Sequence, residues 1–469
     1  MTILDTERHP LADQVAGRVL RPQDDGFAEA ARPWNLAVEH HPDVVLEAAG
    51  PDDVVAGVRW AAEQGLPVAV QSTGHGATES VSGGLLICTL PMNTVELDVA
   101  NRTARVGAGT RWGELLAQSV PEGLIGLCGS SSDVGIVGYC LGGGLPILGR
   151  AFGFGAERVR SIDIVTPDGR LRTVDAEHDA DLFEVLKGGK GNFGVVTAIE
   201  LELLPVSDFY GGGIIYPGED AAEVLTAFRA WTADLPDDAC PSIAFLRLPD
   251  ADFAPPPLRG RFVVHVRFAL MGDREQGDRL LAPMRAVSTP IMDTAGPLSY
   301  LQADLVNLDP PDPTAFEHGG ALLTEFGEEA QAALLEVAGP GVRSPLLLIE
   351  LRLMGGALGR PSPVRDAVSG RDAAWCVSAL GVPVPPIAEL VPPAIEQVLD
   401  ALRPWATGHT MVNFHGRPGD ATDRARAWPP DAYAAIQRAK RRYDPDTMMR
   451  FGHAVLLPSG EPVEPAIPL

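Results

Sequence analysis

The sequence is short of the features that would place it in a membrane, on a nucleic acid or in a disulfide framework. Its five cysteines (Cys88, Cys128, Cys140, Cys240 and Cys376) are an odd number without paired spacing, which argues against a disulfide scaffold and against a zinc or other metal site. No window of about 18 apolar residues occurs, and the stretch from Met1 to Leu20 carries acids but no apolar core of a leader. The expectation is a chain with no membrane span in a reduced, cytoplasmic setting. Basic residues are in deficit, 37 Lys and Arg against 62 Asp and Glu, for a net charge of −25. A field of that sign opposes nucleic acid and anionic membrane surfaces. The acidity otherwise reads as solubility.

What is present is a globular chain of 469 residues, 45% hydrophobic and rich in turns, with 51 glycines and 42 prolines. Its length suggests two or three domains. The stretch around which it is organised runs from Leu66 to Thr89. An apolar run from Pro67 to Val70 reads as a buried strand and breaks into Gln71-Ser72-Thr73-Gly74-His75-Gly76-Ala77, a loop of small residues presenting one imidazole. Taken alone, such a histidine is either an ordinary loop residue or the contact of a flat cofactor.

The flanking text alternates strand and helix: Val44–Ala48, a helix opening near Gly50-Pro51-Asp52-Asp53 and running from Val54 to Gln64, hairpins at 95–106 and 161–174, and the strand from Val195 to Leu203. Helix packed between short strands implies an α/β unit. The opening segment, residues 1–38, is expected to hold helix at Leu11–Val19. Two further glycine loops stand out. Gly126 to Gly144 includes Gly129, Ser130, Asp133, Val134, Gly138, Tyr139 and the run Gly142-Gly143-Gly144; Gly188 to Gly194 includes Asn192 and leads into Val195 and Val196. Consecutive glycines either expose N–H groups to a pyrophosphate or allow a tight crossing of two segments. A dinucleotide fingerprint of the Rossmann kind is absent. From 207 to about 405, strands at Gly213–Tyr216, Ile243–Leu248, Phe262–Phe268 and Leu346–Leu353, with helices such as Asp220–Leu235 and Pro-rich connections at 254–257 and 309–313, read as antiparallel sheet covered by helices. The last segment, 406–469, carries a strand at Thr410–Phe414 and a helix at Pro430–Tyr443.

With the three glycine loops, Ile349-Glu350-Leu351-Arg352-Leu353-Met354-Gly355-Gly356-Ala357, Val412-Asn413-Phe414 and Tyr443-Asp444-Pro445 in order, the chain resembles the berberine-bridge-enzyme-like FAD-linked oxidases of the vanillyl-alcohol-oxidase superfamily. The resemblance implies an α+β fold. Residues 1–206 would form a two-part PCMH-type FAD-binding domain with its core at 38–206, 207–405 a substrate domain of antiparallel sheet covered by helices, and 406–469 a segment returning to the first. It implies FAD held by the residues of the three loops and by Asn413 and Phe414, and a bond from a ring nitrogen of His75 to the flavin 8α-methyl. Some members add a second bond from a cysteine; here that position is Ser131, so a single link is expected, with Cys128 and Cys140 as small buried hydrophobes. Val134 would line the oxygen side of the flavin, a position where valine accompanies oxidase behaviour. Tyr139 falls near the flavin N1/C2=O edge, where its hydroxyl would stabilise the reduced anion. Two departures matter: an arginine common before Ser72 is Gln71, and a tyrosine used as base by some relatives is missing from Met411–Phe414.

Candidates for the missing base come from pattern. In Phe262–Phe268, alternation sets His265 and Arg267 on one face, toward solvent or toward the flavin. Leu346, Leu348, Glu350 and Arg352 share a face. Glu350 either accepts a substrate proton or simply pairs with Arg352, and His415 is the alternative. The expected activity is removal of a hydride from a small or medium-sized, secondary-metabolite-like substrate, with O2 reduced to H2O2 by a monomer or homodimer. A flavin protein that binds and sequesters a metabolite, or one that oxygenates or cyclises it, are the alternatives.

Overall fold

Three larger sheets and a two-stranded ladder of Leu124–Ile125 with Leu204–Pro205 carry the described residues. In the computed structural model, residues 9–251 and 255–457 are described. The first part of the opening segment, Ala254 of the Pro-rich connection and the end of the last segment lie outside them.

The first sheet has four strands in the order Arg18–Leu20, Val44–Glu47, Leu85–Cys88, Val68–Gln71. Both Val44–Glu47 and Val68–Gln71 run parallel to Leu85–Cys88. The helix Pro51–Gln64 makes the crossover, and its buried Val54, Val58 and Ala61 pack on Leu46, Leu85 and Ile87. It starts where sequence chemistry asks, with Pro51 in the first turn and Asp52 and Asp53 at the positive end of the dipole. Asp53 does more than cap. Its carboxylate accepts the N–H groups of Ala16, Gly17 and Ala49 at 2.8, 2.9 and 2.8 Å. That capture holds the opening segment extended, so the expected helix at Leu11–Val19 gives way to a 3₁₀ turn at Pro10–Asp13 and the strand Arg18–Leu20.

The second sheet is antiparallel throughout, in the order Val95–Asp98, Thr103–Gly107, Val195–Glu202, Val159–Val165, Leu171–Asp175. Both hairpins lie where turn chemistry places them. Between the first two sheets and the third runs a short helix, Ile136–Leu141, which the glycine-rich text around it conceals.

The third sheet is larger, with the path Met292–Asp293, Phe209–Pro217, Phe262–Met271, Cys240–Arg247, Leu346–Leu353, Trp375–Gly381, Glu317–Leu323, every neighbour antiparallel. One face packs on the helices Ala221–Ala233, Arg274–Arg285, Glu328–Ala338 and Val391–Leu402 through Val264, Val266, Phe268, Ile349, Leu351 and Val377. The other face closes a cavity against the first two sheets. A register shift between Leu346 and Leu348 alters one expectation. It turns Leu346 into the helix-side core, leaving Leu348, Glu350 and Arg352 on the cavity side.

The expected strand at Thr410–Phe414 is instead a 3₁₀ turn at Val412–Phe414. Four apolar or neutral residues in a row fit either state, and the turn is set by a tertiary bond, Asn413 Nδ2 donating to the Tyr139 carbonyl at 3.2 Å. The helix Pro430–Tyr443 forms as read. The chain then returns to the first two sheets, Met448 accepting from Val68 N–H at 3.0 Å and Val455 donating to Asn192 Oδ1 at 2.7 Å.

Candidate active site

A cavity of about 1510 Å³ lies between the loop after Val68–Gln71 and the third sheet. Sites for one small molecule run to roughly 300–1,000 Å³, so this one has room for a large cofactor and a second molecule.

Its floor begins with the His75 loop. Gln71 to Ala77 all line the cavity. The opening segment clamps them: Trp34 N–H donates to Thr73 O at 3.0 Å and Asn35 Nδ2 to Ala77 O at 2.9 Å. Trp34 also lies flat on the His75 ring, with centroids 4.3 Å apart and planes at 18°. His75 Nδ1 is 2.8 Å from Thr73 Oγ1, while Nε2 is buried without a partner. Burial, helped by the Arg111 charge, lowers the imidazole to about 4. The ring is therefore neutral at neutral pH, and in the tautomer that donates Nδ1–H to Thr73 Oγ1 the Nε2 lone pair is free for an electrophile.

The other predicted cofactor residues divide. Gly129, Ser130, Val134, Gly138, Tyr139, Asn192, Gly194, Val196, Asn413 and Phe414 line the same cavity, whereas Asp133, Gly142, Gly143, Gly144 and Val195 do not. Asp133 pairs with Arg111, and Val195 belongs to the core of the first sheet. The three glycines are a close-packing device. A Cβ on Gly142 would sit 2.0 Å from Asn413 Oδ1, and one on Gly144, at φ +67°, 2.4 Å from the Tyr139 ring. Of the two readings of that run, the tight crossing is the one the geometry favours. Its effect on the site is indirect, through the seats of Tyr139 and Asn413. The Tyr139 hydroxyl is buried without a partner, and burial raises its pKa well above the usual value, so it keeps its proton. Asn192 is fixed by Gly189 O at 2.7 Å and by Val455. Cys128 and Cys140 are buried thiols, pushed up by burial.

Glu350 and Arg352 face the cavity from the sheet. Glu350 Oε1 accepts from Ser242 Oγ at 2.8 Å and Arg267 Nη1 at 2.6 Å; Oε2 accepts from Arg352 Nε at 2.8 Å. Burial alone would raise this carboxyl, but Arg352 and Arg267 outweigh it and hold it at about 2. A carboxylate so held is a weak proton acceptor. His415 stands behind the cavity wall, its Nε2 2.9 Å from Asp423 O and its ring edge-on to His453.

His265 and Arg267, set on one face by alternation, both line the cavity. His265 Nε2 is buried and unpartnered over Gly213, where a Cβ would approach it to 2.2 Å. Trp34, Lys190, His318 and Ser378 also line the cavity and escape sequence reasoning. Lys190 had a signal, a long side chain inside a glycine run, and it sits at φ +58° with Nζ 3.5 Å from Gly138 O.

Free His75 Nε2, unpartnered Gln71 Oε1 and Ser72 Oγ, and the volume beside them form a donor set that fits FAD. Comparison with known proteins agrees. Residues 42–175 match the FAD binding domain family. Over 463 residues the chain is 25% identical to (R)-6-hydroxynicotine oxidase of Paenarthrobacter nicotinovorans, covering 94% of this chain and 97% of that one. The Physcomitrella patens BBE-like 1 structure superposes with a TM-score of 0.82 at 19% identity, over 96% and 98% of the two chains. Glucooligosaccharide oxidase of Acremonium strictum, a protein with 6-S-cysteinyl, 8α-N1-histidyl FAD, superposes with a TM-score of 0.78 at 18% identity, over 93% and 96%. The chain is an FAD-binding flavoprotein. It is an FAD-linked oxidoreductase, and over nearly its whole length it has the fold of the BBE-like and oligosaccharide oxidase structures on which it superposes.

Proposed function

We propose that this chain is an oxidase that tethers FAD through His75 alone and oxidises a small or medium-sized organic substrate, with O2 as the final acceptor. The observation that carries the reading is the buried, unpartnered Nε2 of His75, neutral and pinned by Trp34 and Thr73. FAD bound there supplies the hydride acceptor. The net reaction removes one hydride and one proton from the substrate and returns both in H2O2.

The chain's own residues divide the work. Residues 38–206 hold the cofactor and 207–405 the substrate, with 406–469 bringing Asn413 and Phe414 to the cavity. Ser131 in place of a cysteine limits the tether to one bond. Tyr139, with its proton retained, donates toward charge that develops beside it. Arg352 and Glu350 orient the substrate. Because Glu350 is committed to two guanidiniums, the substrate proton goes to another group or to water; His265, whose Nδ1 accepts from Arg267 Nε, carries its own proton on Nε2 and is a donor on the same sheet face.

The test is acid precipitation. A yellow pellet from the wild-type protein and a colourless one from His75→Ala are expected. A colourless wild-type pellet rejects the tether. Flavin bleaching by an added substrate under anaerobic conditions, with peroxide on re-aeration, separates oxidase action from sequestration, in which the ligand binds without bleaching.

A further inference from the structure

The sheet face that closes the cavity is graded. Register across four strand pairs sets three rows: Gly213, Arg267, Ser242, Arg352, Cys376; then Ile215, His265, Ala244, Glu350, Ser378; then Pro217, Val263, Leu246, Leu348, Leu380. The first row is cationic, the second polar and the third apolar. Beyond the third row the lining continues to Val384, which is 44% exposed. A ligand complementary to this wall is charged at its inner end and greasy toward the opening.

The sign of the charge follows from how the two guanidiniums are used. Arg267 is fully committed, with Nε on His265 Nδ1 at 3.2 Å, Nη1 on Glu350 at 2.6 Å and Nη2 on Asn307 O at 3.0 Å. Arg352 gives only Nε, to Glu350 Oε2 at 2.8 Å. Its two terminal nitrogens have no hydrogen-bond acceptor among the described residues, and the group lies over the Phe414 ring at 5.5 Å. One carboxylate thus serves two guanidiniums. The other carboxyl nearby, Asp309, is raised by burial against the opposing pull of Arg267, Ser130 and Arg352, and it makes no ion pair with Arg352 among the described residues. A half-buried guanidinium edge with unused donors is the geometry that binds a carboxylate through two parallel bonds. In a molecule of net charge −25 the long-range field repels anions, so selection of an acid falls to this local cation.

We propose that the substrate is an amphipathic organic acid, its carboxylate docked on the free edge of Arg352 and its apolar body under Leu246, Leu348 and Leu380. This deepens the oxidase reading of the same cavity and rests on it.

The experiment is calorimetric titration of the purified holoprotein with a matched pair of probes, 4-phenylbutanoate and 4-phenylbutanamide, which differ only in charge at the polar end. Binding of the acid about tenfold tighter than the amide is expected, the size of one charge-assisted contact. Arg352→Gln removes that preference while amide affinity stays within about threefold, and Arg352→Lys, which keeps the charge without the fork, retains part of it. Amide binding reports that each variant is folded; if Arg352→Gln does not fold, the acid-to-amide ratio of Arg352→Lys against wild type decides. Equal affinity for both probes in the wild-type protein, no binding of either, or a preference that survives in Arg352→Gln or is undiminished in Arg352→Lys overturns the proposal. Calorimetry needs no turnover, so failure of the flavin to be reduced rejects the oxidase reading while leaving this result to stand on its own.

Discussion

Trp34 and His75 lie face to face, 4.3 Å between ring centroids and 18° between planes, although 41 positions separate them in the chain. The indole comes from the opening segment and holds the imidazole so that Nε2 points away from Thr73. Trp34→Ala is expected to lower the fraction of flavin retained in the acid pellet, measured by absorbance against total bound flavin, with a loss of stability beyond area of about 0.5–1.5 kcal/mol from the ring pair. Trp34→Phe restores most of the retention. Full retention in the alanine variant rejects the clamp.

Glu350 pairs with both Arg267 and Arg352. Glu350→Gln leaves the buried Arg267 and the half-buried Arg352 without this counter-charge and is expected to destabilise by about 3–5 kcal/mol in guanidinium titration. The same ion pairs keep the carboxylate ionised down to about 2, so in the wild-type rate profile no acid limb between about pH 5 and 7 disappears in the glutamine variant.

Acid sensitivity has a source in the histidines. Burial, with the nearby His415, holds His318 at about 4, below the 6.5 of an unfolded chain. Between those values the unfolded state binds the extra proton, so stability falls as pH drops through that window and is level above it. Thermal melts across the window are expected to show a steep fall in Tm for the wild type and a shallower one for His318→Gln. Identical slopes count against this assignment.

Lys440 is completely buried and donates to Asn192 O, Asp444 Oδ2 and Met449 O at 2.9, 2.7 and 2.6 Å. Asp444 in turn accepts the Met448 and Met449 N–H groups. Lys440→Met strands that carboxylate and is expected to cost about 3–5 kcal/mol in urea unfolding. It also loosens the Asn192 loop, seen as faster proteolysis there.

Local chemistry made much of this legible. The Pro51 helix start, the two hairpins and the loop around His75 are set by neighbours a few residues away, and alternation alone put His265 and Arg267 together. What escaped depends on distant partners. Nothing near Leu11 announces that Asp53 will capture Ala16 and Gly17. Met411 to Phe414 does not reveal that Tyr139 will take the Asn413 amide. The run Gly142 to Gly144 reads equally as a phosphate cradle or a tight crossing until Tyr139 and Asn413 are found pressed against it. Pairing of Glu350 with Arg352 is one of the two readings that spacing allows, but the third member, Arg267, needs the strand register to bring it across Ser242.

The shift between Leu346 and Leu348 has an evolutionary consequence. After it, chemistry sits on Leu348, Glu350 and Arg352, while Ile349 and Leu351 anchor the helices. Recognition and folding are thereby written on alternate letters of one strand. Ligand preference is free to drift by exchange of every second residue while the scaffold beneath stays as it is.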